Sequence, residues 1–229
     1  MKQLILDLRP DRPPTLENFV VGENAELLEN LTQLAEPTRP RRTNIYLWGD
    51  AGSGRSHLLR ATADRARERG QPVFFLMAEE IENSLPDIKN ALLAIDDIDR
   101  LSPSAQIALF NTFNHAAYHG QSLLLSGPSA PLGLAPNLRE DLRTRIGQSL
   151  IFEVRPLDDT VRRAILHSLA ARRGLHLSEE VTGFLLTHAR RDPPSMVAAL
   201  DALDAASLEH KRPVTLPLLR EIMREGLRI

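Results

Sequence analysis

Nine consecutive residues, Gly49-Asp50-Ala51-Gly52-Ser53-Gly54-Arg55-Ser56-His57, have the composition and spacing of a phosphate grip. Gly49, Gly54 and Ser56 stand where the pattern G-x-x-x-x-G-K-S/T places its two glycines and its hydroxyl. Glycines let successive backbone N–H groups converge on phosphate oxygens at the positive end of a following helix. The Ser56 hydroxyl is expected to reach Mg²⁺. One position departs from the pattern: Arg55 replaces the lysine, keeping the charge but as a larger planar fork. Farther along, Asp96-Asp97-Ile98-Asp99 offers carboxylates. A phosphate-bound Mg²⁺ needs oxygen ligands, which Asp96 supplies directly or through water, while Asp97 can orient an attacking water. Asp99 reads as a surface or supporting residue. His115 and His119 have a four-residue spacing that could clasp zinc, but no H-E-x-x-H pattern and no third ligand accompany them. They read as two independent helix histidines.

These groups need elements to position them. An apolar, β-forming run (Asn44–Trp48) precedes the glycines, and Leu58, Leu59, Ala63 and Ala66 follow at helical spacing. Gly70 ends that helix. Further strands are expected at Pro72–Leu76, Ala91–Ile95, Ser122–Ser126 and Leu150–Val154. A helix carries Ile107, Leu109, Phe110 and Phe113, and another spans Leu138–Arg145. Near-continuous apolar strands alternating with helices predict a five-stranded parallel sheet covered on both faces, a three-layer α/β core. Upstream, Leu27, Leu28, Leu31 and Leu34 predict an amphipathic helix with Asn24 as N-cap. From Pro156 onward the strands stop. Segments 159–172, 179–190, 194–210 and 216–226 read as helices, with Ser178 and Thr215 as N-caps. The expected domains are therefore an N-terminal peptide and linker (1–14), an α/β domain (15–156) and a small all-helical domain (157–229).

Composition narrows the function classes. A formal net charge of -2 over 229 residues argues against a strongly basic nucleic-acid surface. The arginines of the 37–42 connector then read as a solvated loop. With no cysteine, disulfides, thiolate zinc sites and thiol catalysis are excluded, and a reducing compartment is suited. No apolar run reaches membrane-spanning length and no signal peptide is visible, so the cytoplasm is the expected location. Leu4, Leu6 and Leu8 share one face of an extended segment ahead of a Pro-rich linker. That segment is either a peptide ligand for a partner's groove or an edge strand on its own domain.

Together these motifs resemble the DnaA-related AAA+ ATPases, and within them the short Hda family that acts with the sliding clamp. The similarity spans nearly the whole chain. Thr15-Leu16-Glu17-Asn18-Phe19-Val20-Val21-Gly22 is similar to the family's adenine-holding segment, which assigns Phe19, Val20, Val21 and Gly22 to the base. Gly49, Ala51, Gly52, Ser53, Gly54, Arg55, Ser56 and His57 fall in its Walker A loop, where the Hda family also carries arginine. Asp96 and Asp97 resemble the Walker B metal ligand and catalytic acid, and Ser126 the sensor 1 position that reads the γ-phosphate. Asp141-Leu142-Arg143-Thr144-Arg145 is similar to the segment whose last arginine is the arginine finger. Without the resemblance Arg143 and Arg145 would read as solvated helix arginines. Gln3-Leu4-Ile5-Leu6-Asp7-Leu8 resembles the clamp-binding peptide Q-L-x-L-x-L/F, with Gln3 at the groove entrance and Leu4, Leu6 and Leu8 in its apolar pocket.

The resemblance implies ADP or ATP with Mg²⁺ as cofactors, and the sliding clamp (the DNA polymerase beta subunit) and DnaA as partners. It leaves room for a homo-oligomer, and no residues remain for a dedicated DNA-binding domain. The expected function is negative regulation of replication initiation: clamp-docked and nucleotide-loaded, the chain would present Arg145 to ATP on DnaA and stimulate its hydrolysis there. Two rivals stand beside it. One is a self-sufficient AAA+ ATPase such as a helicase loader. The other is a DNA-binding or scaffolding module that uses the fold without nucleotide. Arg55 opposes the first, as does Pro194, which stands near where the sensor 2 arginine would fall, with Arg190 and Arg191 a turn earlier.

Overall fold

The computed structural model describes residues 13–36, 43–188 and 193–224. Gln3, Leu4, Leu6 and Leu8, expected to bind the clamp, the 37–42 connector, and Arg190 and Arg191 lie outside the described residues.

Five strands, β1 (Ile45–Trp48), β2 (Val73–Met77), β3 (Leu92–Asp96), β4 (Ser122–Gly127) and β5 (Leu150–Glu153), form one parallel sheet in the order β2-β3-β4-β1-β5. Strand alternation sorts the core into two layers. Ile45, Leu47, Leu92, Ala94 and Leu124 face α1 (Ala25–Leu34) and α2 (Arg55–Glu68). Tyr46, Leu93, Ile95, Leu123 and Leu125 face α3 (Pro103–His119) and α4 (Glu140–Gly147). These side chains are essentially fully enclosed. Each enclosed leucine contributes roughly 1.5–3 kcal/mol, against propensity differences of about 1 kcal/mol, so packing rather than propensity holds the layers.

Local signals set the ends of the longest core helix. The Ser102 hydroxyl accepts from the Ala105 N–H at 3.2 Å, Pro103 occupies the first turn, and Gly120 closes the helix at φ 66°.

Two details refine the expected fold, and one expectation, the Asn24 cap, is corrected. The sheet is not covered evenly: β2 is half-buried, and at the other edge Leu150 and Ile151 are 43% and 39% exposed. Apolar runs do not distinguish edge strands from central ones, because both can pack one face. Ile107 also points outward, half exposed, while Leu109 on the same helix is buried. Asn24 precedes α1 but makes no side-chain cap. Its amide instead spans 131 residues, donating to the Arg155 carbonyl and accepting the Arg155 N–H, both at 2.9 Å. A buried amide with a backbone partner on each side is worth more there than at a frayed helix end.

After β5 the chain is helical: α5 (Asp159–Arg172), α6 (Glu179–His188), α7 (Pro193–His210) and α8 (Leu216–Arg224). Leu166, Leu185, Leu200, Leu203 and Leu219 build a core of their own. Asp158 caps α5 through the Val161 N–H at 2.8 Å, and the Ser178 hydroxyl accepts from Val181 at 3.3 Å, as expected of an N-cap. Pro193 and Pro194 open α7, where a missing N–H costs no helical hydrogen bond.

Candidate functional site

The glycine loop leaves the carboxyl end of β1 and runs into α2. Gly49 is held to its type by crowding, since an added Cβ would lie 2.7 Å from the Val154 carbonyl oxygen at the end of the neighbouring strand. Gly54 is held by conformation as well. Its φ is +102°, and an added Cβ would lie 2.7 Å from the Phe19 ring. α2 begins directly after it, so its first N–H groups lack acceptors within the helix and carry the positive end of the helix dipole. Two further groups lack partners among the described residues: the buried Ser53 Oγ and Arg55 Nη1. Buried polar atoms seldom stay unsatisfied. The set of donors, a hydroxyl, a guanidinium N–H and helix-end amides, matches the acceptor oxygens of phosphate. Ser56 is exposed at the mouth of the loop.

The carboxylates lie one strand away from β1's neighbour. Asp96 ends β3 at 1% exposure, and its carboxylate accepts a hydrogen bond from the Ser126 hydroxyl on β4. The same hydroxyl oxygen accepts the Asp97 N–H at 3.0 Å. Ser126 is fully enclosed and therefore fastens the acidic turn to the sheet. Asp97 sits at φ 53°, ψ 54°, a left-handed backbone unusual for a residue with a side chain. Its carboxylate lies 3.7 Å from Arg55 Nη2. The loop cation and the expected catalytic acid thus face each other. The basis for that pairing is not visible from their 42-residue separation in sequence.

Burial raises the pKa of Asp97 above its ordinary value of 3.8, aided by the Asp96 charge and opposed by Arg55. Even beside a guanidinium, then, the surroundings disfavour the anion. Folding holds this proton more tightly than the unfolded chain does, so the contribution to stability falls as pH rises above 3.8 through the raised value. Asp97→Asn is expected to raise the midpoint of thermal unfolding at pH 7, where the aspartate is charged, and to raise it less in acid, where the aspartate is protonated. Asparagine also tolerates the left-handed backbone, and a 3.7 Å ion pair is a small loss. A lower midpoint in scanning calorimetry would contradict this balance.

The segment ahead of α1 is fastened to the loop helix. His57 Nε2 lies 2.9 Å from the Thr15 carbonyl oxygen, Arg65 Nη1 is 2.5 Å from Glu17, and the Phe19 and His57 rings are 5.7 Å apart. Phe19 and Val20 are half-buried, while Val21 and Gly22 are exposed.

Arg145 is elsewhere. It lies in the last turn of α4, its guanidinium 5.8 Å from the Phe110 ring centre and 3.3 Å from Gln148 Oε1. β5 follows, and its first residue, Leu150, pairs with Ile45, the first of β1. The glycine loop leaves the other end of β1, so α4's last turn and the loop lie toward opposite ends of that strand. Arg143 lines a groove of about 510 Å³ with Leu132, Glu140 and Ile151. His119 pairs with Asp87, and its ring is 6.3 Å from that of His115. Among the described residues no group of three His, Cys, Asp or Glu side chains is arranged to hold a metal ion, and no helix is long and apolar enough to cross a membrane.

A parallel sheet in this order, a glycine loop between its β1 and α2, an acidic turn after β3 and a following helical lid define an AAA+ P-loop protein. The family model for the bacterial DnaA ATPase domain matches residues 11–153, and that for the Hda lid domain matches residues 159–223. A Haemophilus influenzae relative, an uncharacterized protein, is 31% identical over 97% of this chain and 98% of its own length. Domain III of the Thermotoga maritima replication initiation protein DnaA superposes with a TM-score of 0.73 at 21% identity, covering 96% of this chain and 99% of that one. AMPPCP-bound DnaA from Aquifex aeolicus gives 0.69 at 23% identity, covering 94% and 71%. The chain belongs to the DnaA-related AAA+ family, and its C-terminal helices match the Hda lid domain.

Proposed function

We propose that this protein is a clamp-associated regulator that switches off the replication initiator DnaA. Residues Gly49–His57 hold an adenine nucleotide, ADP in the regulatory state, with Phe19–Gly22 against the base. Ser56 and Asp96 would hold Mg²⁺, which supplies charge neutralisation on the phosphates when bound. Ser53 Oγ and Arg55 Nη1 support this, as buried polar atoms that suit phosphate oxygens. Residues of the chain 1–14 unit, Gln3, Leu4, Leu6 and Leu8, would dock on the sliding clamp. The 15–156 core and the 157–229 lid would then present Arg145 to ATP on DnaA, while Asp97 and Ser126 would serve as catalytic acid and sensor 1 at this chain's own nucleotide.

The observation that carries the reading is the position of Arg145. An arginine whose helix ends toward the opposite end of β1 from its own phosphate loop is poorly placed to neutralise charge there, and is better placed to enter a neighbour's site. Its contacts to Phe110 and Gln148 are weak enough to exchange for a phosphate. The test is hydrolysis of DnaA-bound ATP with clamp loaded on DNA, with and without this protein. Stimulation that needs the clamp is expected. Unchanged hydrolysis, or a clamp that ignores both the intact protein and a peptide bearing Gln3 and Leu4, would refute it.

A further inference from the structure

Gly54, His57, Ala61 and Arg65 fall at intervals of three and four along α2 and so form one stripe. Three members of the stripe meet the segment 15–19, and the fourth belongs to the same core cluster. Gly54 lies under the Phe19 ring, His57 reaches the Thr15 carbonyl, Ala61 shares a core cluster with Leu16, and Arg65 pairs with Glu17. The segment is itself a closed turn: the Thr15 N–H donates to Asn18 Oδ1 at 3.0 Å and the Asn18 N–H donates to Thr15 Oγ1 at 3.1 Å. That closure leaves the Thr15 carbonyl to be satisfied from outside, and the imidazole of His57 is the group at hydrogen-bond distance. The same ring backs Phe19 at 5.7 Å.

We propose that His57 is a positioning residue that couples the phosphate loop to the base-side segment, so that gripping phosphate and seating the base become one event. The inference rests on the reading of Gly49–His57 as a nucleotide site. The physical reason lies in where the residue sits. It occupies the first turn of α2, whose N–H groups face the phosphates, and its side chain reaches back to the only turn that carries Phe19. Imidazole combines a donor for a carbonyl with a flat face for a ring. Glutamine retains the donor without the ring, and phenylalanine the ring without the donor.

The test uses the full chain and titration calorimetry with ADP, GDP and inorganic pyrophosphate. For His57→Phe, ADP is expected to bind about tenfold more weakly and the preference for ADP over GDP to collapse, the scale of a lost part-buried hydrogen bond. Pyrophosphate, which has no base to seat, should lose clearly less affinity than ADP does. His57→Gln should recover most of the ADP affinity. Should the phenylalanine variant fail to fold, His57→Ala, a good helix former, carries the same comparison. Equal losses for ADP and pyrophosphate, or no loss for either, would overturn the proposal. A parent protein that binds neither ligand would instead bring down the nucleotide-site reading itself.

Discussion

Arg145→Ala is expected to abolish stimulation of ATP hydrolysis on DnaA while leaving ADP binding and clamp binding as they were. Arginines that neutralise transition-state charge from a neighbouring subunit are worth ~10³–10⁵ in rate, so the loss should reach the unstimulated baseline. Arg145 is half-buried and touches only Phe110 and Gln148 by the contacts described above, so removing it should cost the fold little. Arg145→Lys should recover little, because an ammonium cannot reproduce the planar two-pronged contact with phosphate. Arg143→Ala provides the control on the same helix. Arg143 lines the groove described above and Arg145 does not, so stimulation should survive. Single-turnover hydrolysis of labelled ATP preloaded on DnaA measures all three. Full stimulation by Arg145→Ala would refute the finger assignment.

The second large effect is expected at Gly54. A methyl group there meets two obstacles at once: a backbone at φ +102° and a Phe19 ring carbon 2.7 Å away. The conformational cost for a residue with Cβ is roughly 1–2 kcal/mol. Relief requires either the ring or the loop to move, and both belong to the site. Gly54→Ala is therefore expected to lower ADP affinity by at least about 100-fold, the equivalent of ~2.7 kcal/mol. The helical lid, with its separate core, should keep its secondary structure in circular dichroism. Gly52 offers the comparison, since an added Cβ there meets nothing within 4 Å although φ is +79°. Its alanine variant should lose less, through backbone strain alone. Equal affinities for the parent and Gly54→Ala in an ADP titration would show that neither obstacle matters.

Much of the architecture was legible because periodicity and punctuation are local. Apolar runs of four to six residues between glycines and prolines marked all five strands to within two residues, and the amphipathic spacing from 159 onward marked the four lid helices. The glycine loop was equally readable, since its chemistry depends on backbone freedom at fixed intervals. Asp96 and Asp97 could be singled out because carboxylates at the end of a buried strand have few structural uses.

What the local pattern could not contain is who meets whom across the sheet. The strand order brings β3 and β4 side by side, and only that neighbourhood joins Ser126 to Asp96 and to the Asp97 N–H. Only the packed loop sets Arg55 against Asp97, and only the edge position of β5 leaves Ile151 facing outward. Asn24 has a residue type favoured at helix caps, yet a backbone partner 131 residues away claims its amide. Such choices are settled by burial, because a polar group enclosed by the fold takes whichever partner the fold brings near. The sequence alone determined that this chain carries a phosphate-binding loop in an AAA+ frame. The tertiary structure decided that the helix of Arg145 ends toward the opposite end of β1 from that loop, since this depends on how a helix returns along the sheet and not on any spacing in the chain.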